Sequence, residues 1–314
     1  MTAEEAISKF VNDGDCIALG GFVTNRRAYA LVRELIKQGK KDLYLESGAA
    51  GGDADMIIGA GLVKAIMISY AANSGYTQVC RRFRKAIENK EIMFEDYSLD
   101  VQTIIYHGAA LGLTYVPVKN MLGSDLADKW GISEEVRKAD PKLPDKKLVI
   151  MEDPFNPGSQ LCCVPTPQID VALIHVQKAS PDGTCIIEGP TFQDLDIAMA
   201  AKYCIITCEE IVDNDVMRQN PERASLPGLV IDAVVHTPFG AHPSQCYNYY
   251  DYDGLFYRDY DKISKSDEAF NQFLNDYVYE CKDHSEYLDK ISASRLLGLK
   301  IPPGKCYLHG MIRK

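Results

Sequence analysis

The stretch DCIALGGFVTNRRAYAL, Asp15 to Leu31, decides how this chain reads. Cys16, Ile17, Ala18 and Leu19 make a short apolar run, long enough for a fully buried strand, and Gly20-Gly21 ends it. From Tyr29 a helical pattern begins, with Leu31, Val32, Leu35 and Ile36 on one side and Arg33, Glu34 and Lys37 on the other. Strand, glycine turn and helix in this order are half of a βαβ unit. In open α/β sheets ligands bind at the carboxyl ends of strands, where such turns lie. Two glycines let a ligand approach the backbone, and freed N–H groups can hold an oxygen anion. Arg26 and Arg27 follow at once and suit a carboxylate or phosphate. The same residues serve equally well as an ordinary β–α connection with solvent-facing arginines. A dinucleotide fingerprint is not met, because Gly20-Gly21-Phe22-Val23-Thr24-Asn25 lacks the third glycine, although Glu46 stands near the distance of a ribose-binding acid. A P-loop is excluded, since no Gly-Lys-Ser/Thr follows any glycine-rich loop.

The 314 residues suffice for a sizeable core, and a hydrophobic share of 46% with 25% charged residues is that of a globular protein. A net charge of −10 argues against nucleic acid or an anionic membrane as partner, but not against small anions held in a local positive pocket. No apolar run approaches the roughly 18 residues of a transmembrane helix. The opening MTAEEAISKFVNDGD is acidic and amphipathic, unlike a signal peptide, so a cytoplasmic location is expected. Of the ten cysteines, Cys16, Cys185, Cys204 and Cys208 lie in apolar runs, and no C-x-x-C pair or zinc spacing exists. They are expected to be reduced structural thiols, with no metal bound.

Two further strands repeat the pattern of the first. Asp42–Glu46 is expected to empty into a loop, Ser47-Gly48-Ala49-Ala50-Gly51-Gly52-Asp53, and Val63–Tyr70 into Ala71-Ala72-Asn73-Ser74-Gly75. Three consecutive strands ending in small, polar loops point to a ligand crevice. Arg81, Arg82, Arg84 and Lys85 lie on a helix and read as a solvated or subunit-facing surface. Phe94–Asp100 reads as an acidic connection, and Val101–Leu111 as a helix whose His107 is a core histidine. Later strands are expected at Tyr115–Val118, Asp170–Val176, Tyr203–Cys208 and Val230–His236, with a hairpin across Pro154–Gly158. Thr237–Asp253 is a loop unusually rich in tyrosine, and residues 266–300 are amphipathic helices that pack on this chain or on a partner. The fold expected is α/β: an open, mostly parallel twisted sheet with helices on both faces. One domain is expected over 1–314, with a helical C-terminal segment at about 265–300.

Together the segments ALGGF (Ala18–Phe22), GAAGGD (Gly48–Asp53), ANSG (Ala72–Gly75), RRFRK (Arg81–Lys85), the run from Trp130 to Lys138, ASPDGT (Ala179–Thr184), GAHPSQCY (Gly240–Tyr247) and YDYD (Tyr250–Asp253) resemble the alpha subunits of glutaconate CoA-transferases over nearly the whole chain. The resemblance implies a two-subunit family I CoA-transferase of amino-acid fermentation, acting in glutamate degradation. CoA passes from an acyl-CoA such as acetyl-CoA to a dicarboxylate such as glutaconate. It also implies a beta-subunit partner, a higher oligomer of alpha/beta pairs, and CoA thioester as cosubstrate with no tightly bound cofactor. The nucleophilic glutamate belongs to the beta subunit in a Ser-Glu-Asn-Gly setting that this chain lacks, so no catalytic residue is expected here. This chain is expected to be inactive alone. On this resemblance Gly20, Gly21 and Phe22 line the acyl side of the site with backbone donors, and Ser74 with Asn73 hydrogen-bonds a substrate carboxylate. Arg26 supplies positive charge, and His242 binds substrate or only orders its loop. Glu46 and Glu188 are given structural roles. The chain departs from the family pattern at Glu188-Gly189-Pro190-Thr191-Phe192-Gln193-Asp194, which leaves the exact dicarboxylate open. Competing readings are a two-subunit acyl-CoA hydrolase or ring-opening enzyme, in which Glu95 or Asp96 would do chemistry, a sugar-phosphate isomerase or ligand sensor on the same fold, and a nicotinamide oxidoreductase.

Overall fold

Strand β1, Cys16–Leu19, lies in the middle of an eight-stranded sheet in the computed structural model, which describes residues 1–308. From β1 the chain winds outward through β2 (Leu43–Ala50), β3 (Val63–Ala71) and β4 (Met93–Asp96), all parallel. It then builds a separate antiparallel sheet from β5 (Tyr115–Val118) and the hairpin β6 (Val149–Glu152) and β7 (Gln160–Pro165). It returns to the other side of β1 with β8 (Val171–Ala179), and continues outward through β10 (Tyr203–Ile211) and β11 (Ala233–His236). The short β9 (Cys185–Ile186) is the one antiparallel addition to the large sheet. The winding reverses between β1 and β8, which makes their carboxyl ends the topological switch point.

Both faces of this sheet are covered, which is why β1 and the first half of β8, Val171–Ile174, read as unbroken apolar runs. Ile17, Leu19, Val171 and Leu173 point into one core, with the helices Tyr29–Lys37 and Gly52–Gly59 and the C-terminal helices. Cys16, Ala18, Ala172 and Ile174 point into the other, with the helix Leu99–Ala110 and the small sheet. All ten cysteines are free thiols, and nine are buried. Among the described residues no helix is long and apolar enough to cross a membrane.

Four local expectations are corrected. Ser47–Ala50 continues β2 instead of forming a loop, because its small side chains fit a strand that is buried throughout. Phe94–Asp96 is the edge strand β4 rather than a connection. His107 is exposed on its helix, with Nδ1 2.9 Å from Asp196, and is not a core histidine. The cationic helix Arg81–Glu88 is solvated only in part: Arg84 is exposed and pairs with Glu88, while other cations turn to the chain's own helices. Arg81 pairs with Asp261 at 2.8 Å, and Arg82 is buried against Asp267, with Lys85 on the same carboxylate. The helix therefore clamps the helices Gly254–Ile263 and Asp267–Leu274 of its own chain.

Two carboxylates raised by the sequence sit deep in the second core. Glu95 is fully buried and accepts from the Gly131 N–H (3.0 Å), the Ile132 N–H (3.3 Å) and Arg137 (2.5 Å), with Lys147 at 2.9 Å. Truncating one member of such a network strands the other buried charges. Glu46, in the body of β2, accepts from the Tyr106 hydroxyl at 2.9 Å beside a cavity of about 220 Å³. Burial pushes its carboxyl up to about 8 against the hydrogen bonds from Tyr106 and Gln102.

Two outcomes are expected from this core. Glu95→Gln should destabilise the fold by about 3–5 kcal/mol in urea denaturation, because Arg137 and Lys147 lose their counter-charge; a loss under 1 kcal/mol would contradict this. For Glu46 the folded carboxyl holds its proton to about 8, whereas the unfolded one releases it near pH 4.3. Stability is therefore full below about pH 4.3, falls as pH rises towards 8, and levels off above. Glu46→Gln removes this penalty, so its stability relative to the parent should improve between pH 5 and pH 8.5 by a few kcal/mol, at about 1.4 kcal/mol for each pH unit separating the two titrations. Parallel pH profiles would refute the assignment.

Candidate functional site

The glycine turn after β1 is closed by its own chain. The Gly20 N–H donates to the Leu173 carbonyl at 2.9 Å, the Gly21 N–H to Asp194 Oδ1 at 2.7 Å, and the Phe22 N–H to the Asn25 carbonyl at 2.9 Å. Gly21 needs to be glycine: its φ is +78°, and a Cβ would strike the backbone of Asn25 and Arg26. Arg26 is turned into its own fold. It is buried, pairs with Asp194 at 2.5 Å and donates to the His175 and Pro190 carbonyls at 2.7 and 3.1 Å. The expectations of free backbone donors at Gly20–Phe22 and of a substrate-facing cation at Arg26 are therefore corrected. The segment Glu188–Asp194 folds over the switch point and takes up those groups, with Phe192 stacked on Phe22 at 4.9 Å. Val23, Arg26 and Phe192 all hold left-handed backbone, φ +53°, +50° and +49°. Such strain persists only where surrounding contacts over-determine it, and it clusters at functional sites.

Arg27 fastens this turn to β2. It pairs with Asp53 at 2.6 Å and reaches Ser47 Oγ and the Gly21 carbonyl, both at 3.1 Å. Asn73, buried, accepts from the Gly52 N–H at 2.8 Å and so ties the loop after β3 to the loop after β2. His242 is buried too, between the Tyr287 hydroxyl (2.7 Å) and Asp253 (3.1 Å), and orders its loop. Burial lowers its pKa, which favours the neutral ring. Asp253 is held well below the usual carboxylate range: its burial acts upward, but His242 and Arg295 outweigh it.

Ser74 is the expected site residue that faces open space. It is exposed, 3.4 Å from the Tyr70 hydroxyl, and lines a cavity of about 630 Å³ at the end of β3. Tyr76 stands beside it, and the other walls come from far along the chain: Tyr252, Arg258, Ser294 and Arg295. His242 stands one step behind this cavity, since the Asp253 it touches also binds Arg295 at 2.5 and 2.8 Å. The structure thus joins Asn73, Ser74 and His242 into one region and places Gly20, Gly21, Phe22 and Arg26 in the plug at the switch point. Sequence reasoning missed Arg258 and Arg295. The tyrosine-rich loop at Thr237–Asp253 was a signal for the region, but no spacing links it to Arg295.

The other acidic candidates are engaged. Glu188 accepts from Asn248 at 2.9 Å, and Glu209 from Tyr250 (2.6 Å) and the Phe239 N–H (2.8 Å) beside His175. His175, Glu209 and Cys246 cluster closely enough to hold a metal ion, yet Glu209 and His175 already have partners within the fold.

Comparison with known proteins agrees with this architecture. Residues 1–237 match the Coenzyme A transferase family. The chain is 54% identical over 307 residues to the A subunit of glutaconate CoA-transferase from Acidaminococcus fermentans, covering 98% of this chain and 96% of that protein. It is 34% identical over 298 residues to the A subunit of 3-oxoadipate CoA-transferase from Pseudomonas knackmussii, covering 94% and 99%. The crystal structure of glutaconate coenzyme A-transferase from A. fermentans superimposes with a TM-score of 0.96, over 98% of this chain and 97% of that one. The family match over residues 1–237 and the similarity along nearly the whole chain lead to one conclusion: the chain belongs to the coenzyme A transferase family.

Proposed function

We propose that this chain is the alpha subunit of a heteromeric CoA-transferase that moves CoA from an acyl-CoA such as acetyl-CoA to a dicarboxylate such as glutaconate. The observation that carries the reading is 54% identity along 98% of the chain to the A subunit of a glutaconate CoA-transferase. The state of the carboxylates supports the division of labour. Glu46, Glu95 and Glu209 are buried and hydrogen-bonded, and Glu188 is bound by Asn248, so none of the four stands free at the Ser74 cavity. Thioester exchange needs a free carboxylate to attack the acyl carbon, expel the CoA thiolate and form an anhydride that the thiolate reopens to an enzyme–CoA thioester. A glutamate of a beta subunit fills that role. CoA enters as cosubstrate, with no tightly bound cofactor.

This chain then contributes the acyl side of the site. Ser74 donates its hydroxyl to a substrate carboxylate, and Asn73 holds the Ser74 loop in place through Gly52. His242 acts on the loop rather than on substrate. The burial of Glu95 among two cations and two N–H donors disfavours it as the carboxylate of the hydrolase reading, which then rests on Asp96 alone.

The test is to produce the chain together with its beta subunit, then supply acetyl-CoA and glutaconate. Glutaconyl-CoA should form with the complex and not with the chain alone, as read by mass spectrometry. Ser74→Ala should lower kcat/KM for glutaconate by roughly tenfold, the worth of one hydrogen bond to a charged group. Product from the lone chain would overturn the division of labour, and free CoA without glutaconyl-CoA would point to hydrolysis.

A further inference from the structure

The Ser74 cavity carries one cation without an ion pair among the described residues. Arg295 is neutralised by Asp253, which binds it through both carboxylate oxygens. Arg258, on the helix Gly254–Ile263, donates Nε to the Gly254 carbonyl at 3.2 Å and has no ion pair among the described residues. Its neighbour Asp259 is paired instead with Lys262, at 3.3 Å. The one acidic side chain in the cavity wall, Asp253, is fully engaged by His242, Arg295 and the Phe256 N–H. The remaining wall includes the hydroxyl groups of Ser74 and Ser294. A cavity with a surplus guanidinium, hydroxyl donors and no available carboxylate is built for an oxyanion.

The two ends of this cavity are held in register. The Asn73 carbonyl accepts from the Tyr76 and Thr77 N–H groups, both at 2.9 Å, which fixes the turn carrying Ser74. The Thr77 hydroxyl then donates to Asp261 at 2.9 Å, on the same helix as Arg258 and one turn further along. Asp253 caps that helix by accepting from the Phe256 N–H at 3.0 Å. Ser74 and Arg258 are therefore anchored to each other through rigid elements, as a two-point binding site requires.

We propose that Arg258 holds the second, non-reacting carboxylate of the acceptor, so that this subunit selects a short dicarboxylate over a monocarboxylate. This rests on the functional reading above, in which Ser74 meets the acceptor in the same cavity. A guanidinium can grip a carboxylate through two parallel N–H···O bonds, whereas a monocarboxylate leaves it unfilled.

The experiment uses the alpha–beta complex and compares parent, Arg258→Gln and Arg258→Lys. KM is measured for glutaconate, for a straight-chain monocarboxylate of the same length, and for acetyl-CoA. Arg258→Gln should raise KM for glutaconate by about 10- to 100-fold, the loss of a charged hydrogen-bonded pair. The diacid preference over the monoacid should collapse by the same factor, with partial recovery in Arg258→Lys. An unchanged diacid preference overturns the proposal. A rise in KM for acetyl-CoA instead overturns it too, and assigns Arg258 to a CoA phosphate. A parent complex that transfers CoA to monocarboxylates but to no dicarboxylate removes the functional reading and the subsite with it, whereas a parent active on glutaconate with an indifferent Arg258 removes the subsite alone.

Discussion

The ion pair between Arg26 and Asp194 closes the place where an open α/β sheet ordinarily receives its ligand. Removing both charges from water costs several kcal/mol per ion, and the pair is tolerable only because every remaining group is met. Asp194 also accepts the Gly21 N–H, and Arg26 also donates to two carbonyls, of His175 and Pro190. The plug draws the glycine turn, the β8 strand and the segment around Phe192 into one unit. Left-handed backbone at Val23, Arg26 and Phe192 is held there against its steric cost. A cavity opens instead at the end of β3, beside Ser74.

The distribution of charge fits this arrangement. Arg27 is absorbed by Asp53, and Arg81, Arg82 and Lys85 are absorbed by Asp261 and Asp267, so the cationic segments near the glycine loops hold the fold together. Each such pairing fastens a C-terminal helix or a strand-end loop. The C-terminal helices thereby bring Arg258 and Arg295 to the wall of the Ser74 cavity, where hydroxyl groups outnumber carboxylates. An acidic protein thus keeps a positive pocket, as local geometry rather than net charge governs what a cavity attracts.

Much of the fold was legible in short windows. β1, β3 and β8 were readable because burial on both sheet faces demands largely apolar runs between turn residues, and the helix from Tyr29 because its apolar residues recur at helical spacing. The errors came where composition and environment disagree. Ser47–Ala50 has the small residues of a loop but lies in a buried strand, and Phe94–Asp96 has the acids of a loop but closes the sheet, with Glu95 neutralised by cations brought from Arg137 and Lys147. Ser74 and Asn73 were legible as a strand-end loop. Their different fates, one open and one buried, were not, because the loop after β2 that buries Asn73 is a neighbour only in space.

The sequence by itself determined the central strands with their helices, the glycine turn after β1, the family likeness and the lack of a Ser-Glu-Asn-Gly nucleophile, since each of these is written in contiguous residues. Only the tertiary structure decided which charges remain available to a ligand. Arg26 meets a carboxylate 168 residues away, and Arg81 meets one 180 residues away, while Arg258 meets none among the described residues. A guanidinium looks the same in a sequence whether it is paired or not; its chemistry depends on the partner that folding carries to it.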